Sequence, residues 1–452
     1  MTDSDQGAFE DSTCEPRTLD PKARSIEYKS SQCASAGHFK PTRTSDPTMR
    51  ALHLPAVPAG TQSPFRFPDH PPSPSDLQYT PSTYPEPSSS HLNSTAQPVY
   101  LVRVLTTALT RGELSWQEIL DSSRFHPYGS AIPGHDIVGI VEKTYLASAT
   151  TAPKFSPGDR VWGLLDFDRD GAASSLCIAF ESELSLAPHP PPGVSLSRAK
   201  WDEELATLPL SGLTAYQALF THGNLSTTTL VSKPSSAPPT LPPPPPPPPQ
   251  SPPVPPKRVL ITGASGSVGI PTIQLAKAAG FHIVATCSAS SRSFIDEILT
   301  SPSCDHRIID YTATEYTSIP STFQTQGFKP VDLVVDCVGG TTLQSILLQP
   351  SSVVRPHGRI ITIVAPIHTF GPFLSAQMGQ ACTAAAVDAV DFFVVKSRAE
   401  DLAVLGNLVE QGRLRGHVDA VFDLDHGREA MELVESRGRR RVGKVVLRVA
   451  ES

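Results

Sequence analysis

The stretch VLITGASGSVGIPTIQLAKAAG, Val259 to Gly280, leaves few folds open to the chain around it. Val259, Leu260 and Ile261 read as a buried strand. Three glycines follow at a fixed interval. Gly263 permits a tight turn off the strand, Gly266 lets backbone approach a ligand, and Gly269 lets the next helix pack closely on the sheet. Pro271 suits a first helical turn, where its missing N–H costs nothing, and Gly280 suits a helix stop. A helix opening off such a turn offers free N–H groups and the positive end of its dipole to a pyrophosphate. A ligand-free tight turn is the alternative. The second strand that follows, FHIVATCS, favours a dinucleotide site.

Downstream, VDLVVDCVGG and GRIITIVAP are further apolar β-branched runs separated by helical sequence, the pattern of a parallel sheet covered on both faces. Upstream, MRALHLPAV, VYLVRVLTTALT, IPGHDIVGIVEK and FSPGDRVWGLL are strands broken by Gly and Pro, as in a compact β-barrel region. AKWDEELATLPLSGLTAYQALF is helical in character. The chain closes with a helix (AEDLAVLGNLVEQGRL), a strand (VDAVFDL), a helix (REAMELVES) and a last strand (GKVVLRVA).

The 452 residues include 47 prolines, concentrated in a few segments. Residues 1–47 are polar and read as a disordered tail. Residues 61–97 are Pro/Ser-rich and read as a long loop, and residues 224–257 as a second Pro-rich insertion holding the run Pro242–Pro249. Seven cysteines at irregular spacing, with no C-x-x-C pair, point to a reducing compartment and to no cysteine-built structural zinc site. The formal charge of −7 disfavours nucleic acid or an anionic membrane as partner. The acidic first residues resemble neither a secretory signal nor an Arg-rich transit peptide, and no run of ~18 apolar residues occurs, so a cytoplasmic protein without a membrane span is expected.

Sites for NAD place an acid about 20 residues beyond the glycine turn to hold the ribose 2′-hydroxyl. Here that place reads ATCSASSRS. Ser288, Ser290 and Ser291 are small donors and Arg292 is a cation, which suits a 2′-phosphate. NADP(H) is therefore expected over NAD(H), against the plainer reading of Arg292 as a solvated charge.

With TALTRGELSW, IPGHDIVGIVEK, FSPGDRVWGLLDFDRDGAA, LPLSGLTAYQALF, VLITGASGSVG, DYTATEY, VDLVVDCVGG and GKVVLRV in this order, the chain resembles the medium-chain dehydrogenase/reductase superfamily. Its zinc-independent quinone oxidoreductase and enoyl reductase branch is most similar. The resemblance implies an α/β fold: a GroES-like β-barrel catalytic domain over 48–205, a doubly wound Rossmann domain over 206–394, and a return to the catalytic domain over 395–452. The Pro-rich insertion then interrupts the cofactor-binding domain. By position, the resemblance puts Thr214 beside the nicotinamide and Ser265, Gly266, Ser267 and Val268 on the pyrophosphate. Ser288, Arg292 and Tyr311 would surround the adenosine phosphate. Cys337, Val338, Gly339, Val364 and Ala365 would line the cofactor cleft, and Phe392 and Phe393 would cover the nicotinamide. Short-chain dehydrogenases share a T-G-x-x-x-G-x-G start, but Ser267 takes a glycine place of that pattern and no Y-x-x-x-K follows.

Zinc members of the superfamily hold their metal with the His of a G-H-E motif and upstream and downstream cysteines. Gly134-His135-Asp136 keeps one such residue, and TTALTRGEL and LPLSGLTAY supply none. A catalytic zinc takes three protein ligands, so none is expected, and His135 reads as a hydrogen-bonded residue at a domain junction. Without a Lewis acid the substrate must itself be electrophilic: an enone, an enoyl compound or a quinone, whose oxygen needs only hydrogen-bond donors. Tyr128 and Tyr216 are the candidate proton donors. A homodimer is compatible with this reading. A different class of function is a non-catalytic NADPH-binding scaffold using PPVPPK, Pro252–Lys257, as an SH3, WW or profilin ligand. The cluster Arg437, Arg439, Arg440 and Arg441 would suit RNA, but reads as a charged turn.

Overall fold

The computed structural model describes residues 49–54, 72–82, 97–116, 132–146, 152–231, 255–300, 306–436 and 442–450. In chain order the first strands are β1 (Met49–His53), β2 (Gln78–Ser82), β3 (Val99–Leu109), β4 (Asp136–Tyr145), β5 (Arg160–Leu164), β6 (Leu176–Phe180) and β7 (Leu184–Leu186). Helices α1 (Arg198–Ala206) and α2 (Pro209–Tyr216) follow, and α2 runs into a π-helical turn, Gln217–His222. Pro209 sits in the first turn of α2, where it ends the previous helix at no cost in hydrogen bonds.

Strands and helices then alternate: β8 (Arg258–Ile261), α3 (Gly269–Ala278), β9 (His282–Cys287), α4 (Ala289–Leu299), β10 (His306–Asp310), α5 (Ile319–Thr325), β11 (Val331–Asp336) and α6 (Gly340–Leu348). The series ends with β12 (Val354–Thr362), α7 (Pro372–Ala384) and β13 (Ala389–Phe392). The six strands form one parallel sheet in the order β10-β9-β8-β11-β12-β13. The apolar runs have no polar alternation because both faces are covered. Val259, Ile261, Leu333 and Val335 pack into one core, while Leu260 and Val334 pack into another on the opposite face. Strand order reverses between β8 and β11. In sheets of this kind a ligand crevice opens there, at the carboxyl ends of the strands.

Helix α8 (Ala399–Glu410), β14 (Val418–Asp423), α9 (Gly427–Glu435) and β15 (Lys444–Arg448) close the chain. A second sheet has the order β14-β15-β3-β4-β5-β7, with β6 also paired to β3. All its pairings are antiparallel except β14 with β15. The last strand thus lies beside one of the earliest, Val446 opposite Ala108, and the parallel sheet is inserted between them in sequence.

The expectation of a loop throughout 61–97 is corrected within residues 72–82. Pro74–Asp76 forms a 3-10 turn and β2 pairs antiparallel with β1, Leu52 opposite Tyr79. Leu77 is buried against the cluster that holds Leu52 and Met431. Pro81 is tolerated because β2 is an outer strand, where a missing N–H breaks no ladder. Residues 1–48, the run Pro242–Pro249, Tyr128 and the Arg437–Arg441 cluster lie outside the described residues. Lys257, the cation of the PPVPPK motif, is described, and its ammonium is 3.0 Å from Asp332 Oδ1.

Candidate active site

At the carboxyl ends of β8, β11 and β12 one buried carboxyl group ties three strands together. Asp336 Oδ1 accepts from the Thr262 hydroxyl at 2.7 Å, and Oδ2 accepts from the Thr362 hydroxyl at 2.9 Å and the Gly339 N–H at 3.0 Å. The Cys337 N–H in turn donates to Thr262 Oγ1 at 2.9 Å. The glycine turn grows from this fixed base. Gly263 has φ +62°. A Cβ on Gly269 would stand 2.3 Å from the Gly263 carbonyl oxygen and 2.7 Å from Ala264 Cα.

Two confluent cavities open here. The larger, about 1140 Å³, lies over the ends of β8, β9 and β10. The smaller, about 500 Å³, reaches toward the second sheet. Of the residues singled out in the sequence, Gly263, Gly266, Cys337 and Val364 line both. Ser265, Ser288, Tyr311 and Val338 line the larger. Thr214, Ser267, Val268, Gly269, Phe392 and Phe393 line the smaller. Gly339 and Ala365 border these residues without lining either cavity. Arg292 is exposed on α4 and lines neither. Tyr216 is not among the lining residues and packs on Phe220 with ring centroids 5.0 Å apart.

In the larger cavity the Ser288 hydroxyl is bonded to that of Ser290 at 2.9 Å and reaches Ser291. Among the described residues that line either cavity there is no Asp or Glu, and Arg111 lines both. These donors fit the phosphates of a dinucleotide. In the smaller cavity the Thr214 hydroxyl donates to Leu210 O at 2.7 Å. The wall formed by Phe392 to Val395 is pinned from behind. Gln217 Nε2 donates to Lys396 O at 2.8 Å while its Oε1 accepts from Lys396 N at 3.0 Å. His222 stacks on Phe393 at 4.1 Å, and its burial lowers its pKa below the usual histidine value.

Beneath the smaller cavity runs a buried polar chain. Asp136 Oδ1 accepts from Leu210 N at 2.6 Å, and its other oxygen pairs with the Lys444 ammonium. Lys444 also donates to Thr110 Oγ1 at 2.9 Å. Burial pushes the Asp136 carboxyl up, and Lys444 pulls it back down. Glu113 accepts from Thr110 N and Gly134 N and touches His135 Nδ1 at 2.8 Å. Among the described residues no three His, Cys, Asp or Glu side chains converge as a metal site. His135 and Glu113 are two and bind one another, while Asp136 is held by Lys444. This donor set does not fit a catalytic zinc.

Two sheets with a cleft at the strand ends are the architecture of a family of nicotinamide-using oxidoreductases, and comparison with known proteins agrees. The zinc-binding dehydrogenase family matches residues 304–447. The chain is similar to a probable zinc-binding oxidoreductase, mitochondrial, of Arthroderma benhamiae, at 31% identity over 355 residues, 77% of this chain and 88% of that protein. It is 27% identical to the quinone-oxidoreductase QR1, chloroplastic, of Triphysaria versicolor, over 73% of this chain and 84% of that one. The solved quinone oxidoreductase of Coxiella burnetii superposes with a TM-score of 0.60 at 21% identity, covering 89% of this chain and 99% of that one. The chain belongs to the medium-chain dehydrogenase/reductase superfamily, with quinone oxidoreductases and enoyl reductases as its relatives. Two of these names carry zinc, which the described donor set of this chain does not match.

Sequence reasoning missed Phe167, Leu210, Ile363 and Val395 as cleft residues. It also missed Asp336, although an acid ending the apolar run VDLVV was a visible signal.

Proposed function

We propose that the protein reduces an activated C=C, in an enone or enoyl compound, or a quinone, using NADPH. The observation that carries the choice of NADPH is the serine cluster Ser288, Ser290 and Ser291 in a cavity whose described lining holds no carboxylate. When bound, the dinucleotide would supply the hydride. The N–H groups from Ser265 to Gly269 would bind its pyrophosphate, as helix N-termini bind anions. Thr214, Phe392 and Phe393 would hold and cover the reacting ring. Cys337, Val338 and Val364 would form the floor, bordered by Gly339 and Ala365. Arg292 and Tyr311 would frame the 2′-phosphate, Arg292 by swinging in from the first turn of α4. The reading divides the chain at about 205 and 394, places it in the cytoplasm, and includes a homodimer, to be checked by fractionation and sedimentation.

The test is oxidation of NADPH and NADH with quinones, enones and enoyl thioesters as acceptors. Turnover with NADPH preferred is expected; equal use of both dinucleotides sinks the cofactor assignment. Replacing Ser288→Asp should weaken NADPH about 10–100-fold, the scale of a lost charge-assisted bond, while sparing NADH. NADPH binding with no turnover on any acceptor would favour the scaffold role instead.

A further inference from the structure

Thr110, the first residue after β3, is half-buried and lines the smaller cavity. Its N–H donates to Glu113 Oε2 at 2.9 Å and its carbonyl accepts from Glu113 N at 3.2 Å, so the backbone under the side chain is fixed. Its hydroxyl oxygen accepts from Lys444 Nζ at 2.9 Å. A lysine only donates, so the hydroxyl hydrogen must turn elsewhere. Among the described residues no acceptor receives it. Lys444 is held in turn: its side chain is 2% exposed and it pairs with Asp136, which also accepts from Leu210 N at 2.6 Å. Neither Lys444 nor Asp136 lines the cavity, and Thr110 is the hydroxyl through which this buried chain reaches it. Two other hydroxyls line the same cavity. That of Thr214 is committed to Leu210 O at 2.7 Å, and that of Ser267 belongs to the glycine turn. Trp116 and Phe167, which meet edge to face at 5.0 Å, add an aromatic wall.

We infer that the Thr110 hydroxyl is the hydrogen-bond donor to the carbonyl or quinone oxygen on which negative charge grows, and that Lys444 is the positioning residue that aims it. The inference rests on the reductase reading above. As hydride adds to the far carbon of an enone, the C=C electron pair shifts toward the carbonyl oxygen and leaves an enolate. Thr110 keeps its O–H bond and donates to that oxygen, and water then supplies the proton. The substrate gains one hydride and one proton, with the nicotinamide as reductant. A donor fixed in advance loses nothing to reorganisation as the charge forms. Thr110 is fixed from two sides, by Glu113 on its backbone and by Lys444 on its oxygen. Accepting from one group while donating to another also polarises the hydroxyl, since hydrogen bonds in a chain strengthen one another. The substrate class this selects is a flat conjugated carbonyl, its oxygen at Thr110 and its carbon frame within the aromatic lining of Trp116, Phe167 and Phe392.

The experiment uses the full chain with Thr110→Val, Thr110→Ser, Lys444→Gln, Trp116→Phe and Tyr128→Phe. On an acceptor that the wild type reduces, Thr110→Val should lower kcat about 100-fold, the scale for one lost oxyanion donor, with KM and NADPH affinity little changed. Thr110→Ser keeps the hydroxyl and should recover most of the rate, a rescue that a packing role for the methyl group would not give. Thr110→Ala replaces valine if a thermal melt shows that the valine protein is unfolded. A second readout needs no turnover. 4-Nitrophenolate, a planar oxyanion, should bind the complex of protein and NADP+ and lose about tenfold affinity in Thr110→Val, as for a lost hydrogen bond to a charged group. Lys444→Gln should weaken the phenolate in the wild-type background and add little in Thr110→Val, because the lysine acts through the threonine. A purely structural lysine would give additive losses. Unchanged kcat and phenolate affinity in a folded Thr110→Val, or their loss in Trp116→Phe or Tyr128→Phe alone, overturns the inference and leaves the reductase reading standing. A wild type that reduces no acceptor overturns the reductase reading, and the phenolate binding then decides whether Thr110 is an oxyanion donor.

Discussion

Replacing Lys444→Met should cost about 3–5 kcal/mol of folding free energy, the usual penalty for stripping one partner from a buried ion pair. Asp136 is fully buried, and the side chain of Lys444 is 2% exposed, so neither charge has water to fall back on. The pair does more than neutralise itself. Asp136 anchors Leu210 N at the start of α2, and Lys444 anchors Thr110 after β3. Both anchored residues line the smaller cavity. Turnover should therefore fall with stability. The pH dependence has a definite sign. Burial raises the Asp136 pKa above its ordinary value and Lys444 opposes it. Without the ammonium, burial is opposed only by the Leu210 N–H bond, so the folded variant holds a proton that the unfolded chain gives up more readily. The deficit is then largest at high pH and shrinks as pH falls through the raised value. Urea unfolding at several pH values measures this. Asp136→Asn added to Lys444→Met should recover part of the loss, because no unpaired charge remains. A loss under about 1 kcal/mol, or a deficit that grows toward acid pH, would refute the account.

The parallel sheet was legible because its strands are buried on both faces, so composition alone marks them. Val259 to Ile261 and Leu333 to Val335 show no polar alternation since each successive residue meets a different apolar layer. The glycine turn was legible because only glycine fits: Gly269 lies too close to Gly263 and Ala264 for any Cβ. What was hidden depends on partners distant in sequence. Strand β2 looks like loop by composition, and only its register with β1 makes it a strand, while the burial of Leu77 just before it fixes the segment to the core. The bond between Glu113 and His135 joins two motifs 22 positions apart. Arg292 shows a different limit. Ser288, Ser290 and Ser291 line the larger cavity, but a helix turns about 100° per residue, and the next side chain on α4 is carried outward. Nearness in sequence to a phosphate site therefore did not decide which side chain lines it.

Replacing Asp336→Ala should weaken dinucleotide binding at least about tenfold and cost about 3 kcal/mol of stability, since each buried donor left unpaired costs about 1–3 kcal/mol. Four donors lose their acceptor at once: the Thr262 and Thr362 hydroxyls and the Val338 and Gly339 N–H groups. Relaxation of the two threonines recovers part of that cost, which is why the expected loss is below the sum. The effect on binding follows from position. Thr262 immediately precedes Gly263, and Cys337 N donates to the same Thr262 hydroxyl. Gly263 and Cys337 both line the two cavities. Freeing Thr262 therefore loosens both sides of the switch point where the pyrophosphate would sit. Gly339 is constrained too, with φ +70° and Val364 packed against the place a Cβ would take. Asp336→Asn separates the two effects. It keeps the volume and one acceptor oxygen but sets an NH2 group against a threonine hydroxyl that can turn to accept, so stability should fall less than with alanine. Fluorescence titration with NADPH beside a thermal melt reads both quantities. About 3 kcal/mol corresponds to a Tm lower by roughly 6–12 °C for a domain of 150–250 residues. An Asp336→Ala protein that binds NADPH within about twofold of the wild type, at a loss below about 1 kcal/mol, would show that the strand ends hold the cleft without this carboxyl group.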